Sequence, residues 1–165
     1  MPCRELGTVR TEFGRFGRQV SGYSLEHLLP ENHFDVARFL AGSEGTLAVI
    51  IGATLRLVAD PAYKIMVALG YPTMADAADA APLLLDHHPT ACEGLDRRIV
   101  DVVRHTKGDA AVPPLPRGDG WIFVELAGDD PGQLRVSADA LLAGAGASDG
   151  LVVSDRAEAT ALWKI

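Results

Sequence analysis

Aromatic side chains are scarce, at 6% of the 165 residues. Large rings are therefore few, and helices are expected to pack closely on alanine and glycine. Positive charge is also short: 15 Lys and Arg stand against 22 Asp and Glu, a net charge of −7. That argues against a nucleic-acid partner and against anionic membrane surfaces, both of which call for a basic face. There are only two cysteines, Cys3 and Cys92. Their spacing suggests neither a metal knot nor a disulfide framework, so they read as free thiols of a reducing, cytoplasmic compartment. No apolar run approaches the roughly 20 residues a membrane helix needs, so no transmembrane segment is expected. The polar start Met1-Pro2-Cys3-Arg4-Glu5 carries no secretory apolar stretch, and no internal repeat is visible. What is present is 48% hydrophobic and 22% charged residues, the balance of a globular chain with a core.

The pattern changes character near Asp60-Pro61. Before it, Phe13-Gly14-Arg15-Phe16-Gly17-Arg18 has no period and reads as a loop. Leu25, Leu28 and Leu29 mark a short helix stopped by Pro30. A second short helix fits Asp35 to Leu40. The apolar run Leu47 to Ile51 then predicts a buried strand, and the alternation over Thr54-Leu55-Arg56-Leu57 predicts a half-buried one. Asp60-Pro61 ends it and is the expected domain boundary.

Beyond the boundary, Lys64 to Tyr71 is apolar and strand-like. Thr73 is an N-cap for a helix with Met74, Ala77, Ala78, Ala81 and Leu85 on one face, which Pro82 should kink or shorten. Thr90 to Leu95 predicts a strand. Leu95, Ile99, Val102 and Val103 predict a helix face. The proline-rich stretch 113–120 reads as a loop, and Trp121 to Leu126 as a strand. Asp130-Pro131-Gly132-Gln133 is a strong helix start. Leu134, Ala138, Leu141 and Leu142 form that helix's stripe, with Gly144 and Gly146 at its end. Gly150 to Val153 predicts a strand, and Ser154 or Asp155 caps a last helix still running at Trp163-Lys164-Ile165. With the helix after Leu95 set aside as an insertion, the order is β-α-β-β-α-β. That is an α+β, ferredoxin-like antiparallel sheet with helices on one face.

The stretch richest in chemistry is Gly42-Ser43-Glu44-Gly45-Thr46-Leu47. Glycine permits positive φ and lets backbone amides approach a ligand with no Cβ in the way. Successive amides in such a turn can cradle an anionic or carbonyl-rich group. On residues alone the stretch is either a plain tight turn or such a cradle.

Three motifs in order carry a resemblance: Gly22-Tyr23-Ser24-Leu25, then Gly42 to Leu47, then Ala53-Thr54-Leu55-Arg56-Leu57. Together they resemble the end of the PCMH-type FAD-binding domain of the vanillyl-alcohol-oxidase-like flavoproteins, in the branch of the D-lactate dehydrogenases and the glycolate oxidase flavin subunit. Farther on, Cys92-Glu93-Gly94-Leu95-Asp96 and Ala161-Leu162-Trp163-Lys164-Ile165 resemble segments of that family's C-terminal domain. The chain departs from the pattern at Ser24 (usually Asp), Ala48 (often Gly) and Gly52 (usually Glu). The resemblance implies FAD as cofactor, with Gly22, Tyr23, Gly42, Ser43, Glu44, Gly45, Thr46, Leu47, Val49 and Ile50 lining its pocket. It implies residues 1–60 as the C-terminal part of the FAD-binding domain and 61–165 as the first part of the C-terminal domain. A small 2-hydroxy acid is the implied substrate of the complete enzyme.

The family's glycine-rich phosphate loop is expected upstream of residue 1 and its histidine-rich segment downstream of residue 165. The chain is therefore expected to hold one wall of a flavin site, to bind FAD weakly or not at all alone, and to be inactive by itself. A partner chain or a homo-oligomer would complete the site. The alternatives are a non-catalytic ferredoxin-like binding or assembly module, or an inactive truncated product. No catalytic residue is assigned. His87-His88, adjacent on a helix, diverge by about 100° and suit a helix C-terminus better than a metal, so no metal ligand is assigned. His27, His33 and His105 have no partner at ligand spacing. Cys92 reads as a small residue in a buried strand, Arg97-Arg98 as a solvated helix face, and Trp121 and Trp163 as core or domain-contact residues.

Overall fold

The computed structural model describes residues 3–15 and 21–165. The side chain of Cys3 and residues 16–18 of the expected loop lie outside the described residues. The chain divides into two compact units, Met1–Leu57 and Val58–Ile165.

The first unit is built from short helices. Helix α1 spans Cys3–Glu12. Two 3-10 turns follow, Leu25–Leu28 and Pro30–Asn32; Pro30, with its fixed φ, opens the second. Helix α2 spans Val36–Ala41 and is capped by Asp35, whose carboxylate accepts the Arg38 amide at 3.0 Å. Among the described residues, Val9 and Leu29 are the buried apolar side chains of this unit.

The two strands expected over 47–57 do not form. The backbone there is irregular and, among the described residues, makes no hydrogen bond. Val49 is 87% exposed, Ile51 99%, Leu55 79% and Leu57 90%. Each such side chain forgoes roughly 1.5–3 kcal/mol of burial free energy. The physical reason is that a strand needs a neighbour to satisfy its backbone and cover its apolar face, and this unit contains no sheet among the described residues.

The second unit is an antiparallel sheet with helices. Strands β1 (Tyr63–Tyr71), β2 (Ala91–Asp96), β3 (Gly120–Gly128) and β4 (Asp149–Val153) lie in the order β2-β3-β1-β4. All three pairings are antiparallel, with Val67 opposite both Val124 and Val152. Helices α3 (Met74–Leu85) and α5 (Pro131–Gly144) are the two crossovers of the β-α-β-β-α-β unit. Both pack on one face, against Ile65, Val67, Leu69, Ile122, Val124 and Leu126. Helix α4 (Arg97–Lys107), the insertion, and helix α6 (Arg156–Leu162) supply side chains to the core of the opposite face, with Met66, Ala68, Trp121 and Phe123.

The caps follow local sequence. Thr73 Oγ1 accepts the Asp76 amide at 3.2 Å, Asp130 accepts the amides of Gly132 and Gln133 at 2.8 and 3.1 Å, and Asp155 accepts those of Ala157 and Glu158 at 2.8 and 2.9 Å. Pro82 lies inside α3, which nevertheless runs to Leu85.

Two helix faces differ from expectation. On α3 the buried residues are Ala77 and Leu84, while Leu85 is exposed. On α4 they are Val100 and Val103, while Ile99 and Val102 face solvent. Four β-branched residues crowd two turns of α4, so its apolar arc is wider than the sheet can cover. The last helix also stops at Leu162 instead of running through Ile165.

Candidate functional site

The turn after α2 is built by hydrogen bonds from its own side chains. Ser43 is 3% exposed, and its hydroxyl donates to the Leu40 carbonyl at 2.8 Å. The Ser43 carbonyl then accepts both the amide and the hydroxyl of Thr46, at 3.0 and 2.6 Å. Since Thr46 spends its proton on Ser43, the Tyr23 hydroxyl donates to Thr46 Oγ1, at 2.8 Å. Tyr23 also meets Phe39 of α2 edge to face, ring centres 6.2 Å apart. The expected neighbours Tyr23 and Thr46 are thus brought together across 23 residues of chain.

Between these anchors the backbone turns left-handed. Glu44 has φ 51° and Gly45 φ 76°. Glycine meets that requirement freely at Gly45, while Glu44 is held there against its steric preference. The amides of Glu44, Gly45 and Leu47 have no partner among the described residues. Built on Gly45, a Cβ would meet nothing within 4 Å, so this side of the turn is open. Gly22, at φ 72°, lies at the base of Tyr23.

This donor set suits one part of a flavin. Free amides on an open glycine turn can bind ring carbonyls. They do not suit its pyrophosphate: the charged side chain of the turn is the exposed Glu44 carboxylate, and the nearest cation in the sequence, Arg38, is paired with Asp35 at 3.6 Å. Leu47, Val49 and Ile50, expected on the same pocket, are exposed and line neither of the two cavities described next.

Two cavities lie elsewhere. A cleft of about 1440 Å³ in the first unit is lined by Arg10, Glu26, His27, Glu31 and His33 among others. Arg10 grips both oxygens of Glu31 at 2.5 and 3.1 Å, and this hydrogen bonding holds the Glu31 carboxyl down at about 2. Glu26 Oε2 is shielded from solvent with no hydrogen-bond partner among the described residues.

The second unit has a pocket of about 440 Å³ beside α6, lined by Tyr63, Lys64, Glu125, Arg156, Thr160 and Trp163 among others. Lys64 meets Glu125 at 3.3 Å, and Thr90 donates to the same carboxylate oxygen at 3.0 Å. Sequence reading missed this cluster. Strand alternation puts Lys64 and Glu125 each on the same side as their strand's second-face core residues, but only the register makes them neighbours: Glu125 stands opposite Met66, two residues from Lys64.

The remaining candidates are structural. Arg97 pairs with Asp119 and Asp101, and Arg98 with Asp96. Cys92 is half-buried on the edge strand; burial, then the Glu93 charge, pushes its thiol up, away from the reactive thiolate. Trp121 is buried and donates to the Pro116 carbonyl at 2.7 Å, while Trp163 meets Phe123 edge to face at 6.0 Å.

A four-stranded antiparallel sheet with two crossover helices, preceded in sequence by a unit of short helices, is an α+β architecture. The chain belongs to the family of FAD linked oxidases, whose C-terminal domain profile matches residues 60–165. FAD is the cofactor of that parent family, whose members here are hydroxy acid dehydrogenases. The chain is 30% identical over 142 residues to a D-2-hydroxyglutarate dehydrogenase of Pseudomonas putida, covering 81% of this chain and 14% of that protein. It is 30% identical over 151 residues to the D-2-hydroxyglutarate dehydrogenase of Escherichia coli, covering 86% and 15%. A D-lactate dehydrogenase of Archaeoglobus fulgidus is 36% identical over 107 residues, covering 62% and 21%. The chain thus spans only about a seventh of the length of the D-2-hydroxyglutarate dehydrogenases it matches. No helix among the described residues is long and apolar enough to cross a membrane.

Proposed function

We propose that this chain is part of an FAD-dependent dehydrogenase of D-2-hydroxy acids, in which residues 1–60 complete the flavin-binding domain and 61–165 begin the substrate domain. The observation that carries the proposal is the Gly42–Leu47 turn, with three unpartnered amides on an open left-handed backbone and Tyr23 and Ser43 fixing its shape. The names of the relatives support the substrate class.

In this reading bound FAD would supply the hydride acceptor for oxidation at the α-carbon of the substrate. The amides of Glu44, Gly45 and Leu47 would hold its ring carbonyls, with Gly22, Gly42, Thr46, Val49 and Ile50 as the surrounding wall. The Tyr23–Thr46–Ser43 chain keeps those amides in place before the cofactor arrives, which lowers the ordering cost of binding. The Glu44 carboxylate would disfavour the phosphate end of the cofactor at this turn, by repulsion of like charges. A phosphate site, a base and a carboxylate anchor come from outside residues 1–165, in the same protein or a partner chain.

The purified chain is expected to quench FAD fluorescence weakly or not at all. Mixed with the polypeptides that precede and follow the matched region in the Pseudomonas putida relative, it should bind FAD, which D-2-hydroxyglutarate then bleaches. Gly45→Val, strained at φ 76°, should weaken that binding at least tenfold. Stoichiometric FAD on the isolated chain, or no bleaching in the mixture, would overturn the proposal.

A further inference from the structure

The charged side chains that line the pocket beside α6 are unevenly committed. Lys64 and Arg156 are cationic; Asp60, Glu125 and Asp155 are anionic. Glu125 is occupied by Lys64 at 3.3 Å and by the Thr90 hydroxyl at 3.0 Å. Asp155 accepts the amides of Ala157 and Glu158 at the start of α6. That leaves Arg156 and Asp60. Both are exposed, and neither side chain has an ion pair or a hydrogen bond among the described residues. Around them stand Ala159, Tyr63 at 47% exposed and Trp163 at 37% exposed. Charge decides what such a pocket takes. A lone anion would face more carboxylates than cations, and a lone cation would sit beside the unpaired Arg156 guanidinium. A molecule with one carboxylate and one ammonium group satisfies Arg156 and Asp60 together and brings no net charge. The volume of about 440 Å³ is that of a small-molecule pocket.

We infer that this pocket binds a free α-amino acid with an apolar side chain. Its carboxylate lies on Arg156, its ammonium on Asp60, and its side chain against the exposed part of the Trp163 and Tyr63 rings. The site is built within the second unit and needs no flavin, so it stands independently of the proposed function. It is also distinct from a place for the hydroxy acid of that reading. A 2-hydroxy acid brings negative charge to Arg156 but nothing positive to Asp60, and a dicarboxylate adds a second negative charge to a lining already short of cations. Bound there, the amino acid ties the residues that enter β1 to the first turns of α6.

The test is calorimetric titration of the whole 165-residue chain with three probes of one carbon skeleton: L-leucine, 4-methylpentanoate and 3-methylbutylamine. Leucine carries both charges and each of the others carries one. Leucine should bind with saturation and shift the emission of Trp163, while Trp121 is buried away from the pocket. Each single-charge probe should bind roughly tenfold more weakly or worse, the cost of one lost charge-assisted contact. Arg156→Gln should weaken leucine to the level of the amine, and Asp60→Asn to the level of the carboxylate. Both positions are exposed, so the thermal melt should not move. Arg98→Gln, on α4 and paired with Asp96, should leave leucine binding unchanged. No saturable binding of leucine, equal binding of either single-charge probe, equal loss from Arg98→Gln, or displacement of leucine by D-2-hydroxyglutarate would each overturn the inference.

Discussion

Gly120 and Gly144 invite the same substitution with opposite results. Gly120 opens β3 where it passes the start of α3. A Cβ there would lie 2.6 Å from the Met74 Cα, the Met74 N and the Thr73 carbonyl carbon. Ordinary contacts of this kind fall near 3.5–4.0 Å, so the gap must open by about 1 Å. All three obstacles are backbone atoms at a capped helix start, and β3 is held by partners on both sides, β2 and β1. Neither can yield alone. Overpacking of this sort costs about 1–3 kcal/mol or more. Gly144 is the last residue of α5, and a Cβ there would meet nothing within 4 Å. Alanine at that place should add up to about 1 kcal/mol through helix propensity and a less flexible unfolded chain. One kcal/mol moves the midpoint of a domain of this size by about 4–8 °C. Gly120→Ala should therefore lower Tm by roughly 5–20 °C, and Gly144→Ala should leave it unchanged or raise it by a few degrees. Both tryptophans, Trp121 and Trp163, lie in the second unit. Their fluorescence during heating reports that unit directly, and urea midpoints at constant m check that only stability moved. A Gly120→Ala melt within about 2 °C of the parent would refute the steric reasoning.

Two further outcomes follow from buried and paired groups. Tyr71 is buried and donates to the Ala145 carbonyl at 3.0 Å, tying β1 to the end of α5; Tyr71→Phe leaves that carbonyl unsatisfied and should cost about 1–2 kcal/mol in urea unfolding, where no change would show that water replaces the hydroxyl. Glu31 is held down at about 2 by Arg10, against an ordinary 4.5; its contribution to stability is complete above that ordinary value and is lost as pH falls through about 2. Carbon-13 titration of its carboxyl should show the low midpoint, and Arg10→Ala should return it toward 4.5; an ordinary midpoint in the parent protein would dismiss the pair.

The legible parts of the chain were those whose signals are local. The caps at Thr73, Asp130 and Asp155 each need only a side-chain oxygen and the next few amides, so spacing reveals them. Strands β1 and β3 read as apolar runs because both of their faces are covered. The β-α-β-β-α-β order followed, and with it the sheet order β2-β3-β1-β4. The glycine turn was legible as a turn because Gly45 alone meets its left-handed φ without strain.

Tertiary structure decided what depends on a neighbour distant in sequence. Which arc of α4 is buried was settled by the sheet beneath it, which takes Val100 and Val103 and leaves Ile99 and Val102 outside. The Lys64–Glu125–Thr90 cluster exists through strand register, which no single strand encodes. The tie from Tyr23 to Thr46 is likewise a product of folding. Over Leu47–Leu57 the two levels part: the sequence determines an alternation fit for a strand, but alternation supplies only one partner in a pairing. With no sheet among the described residues of its own unit, that segment keeps its apolar face and its backbone groups exposed.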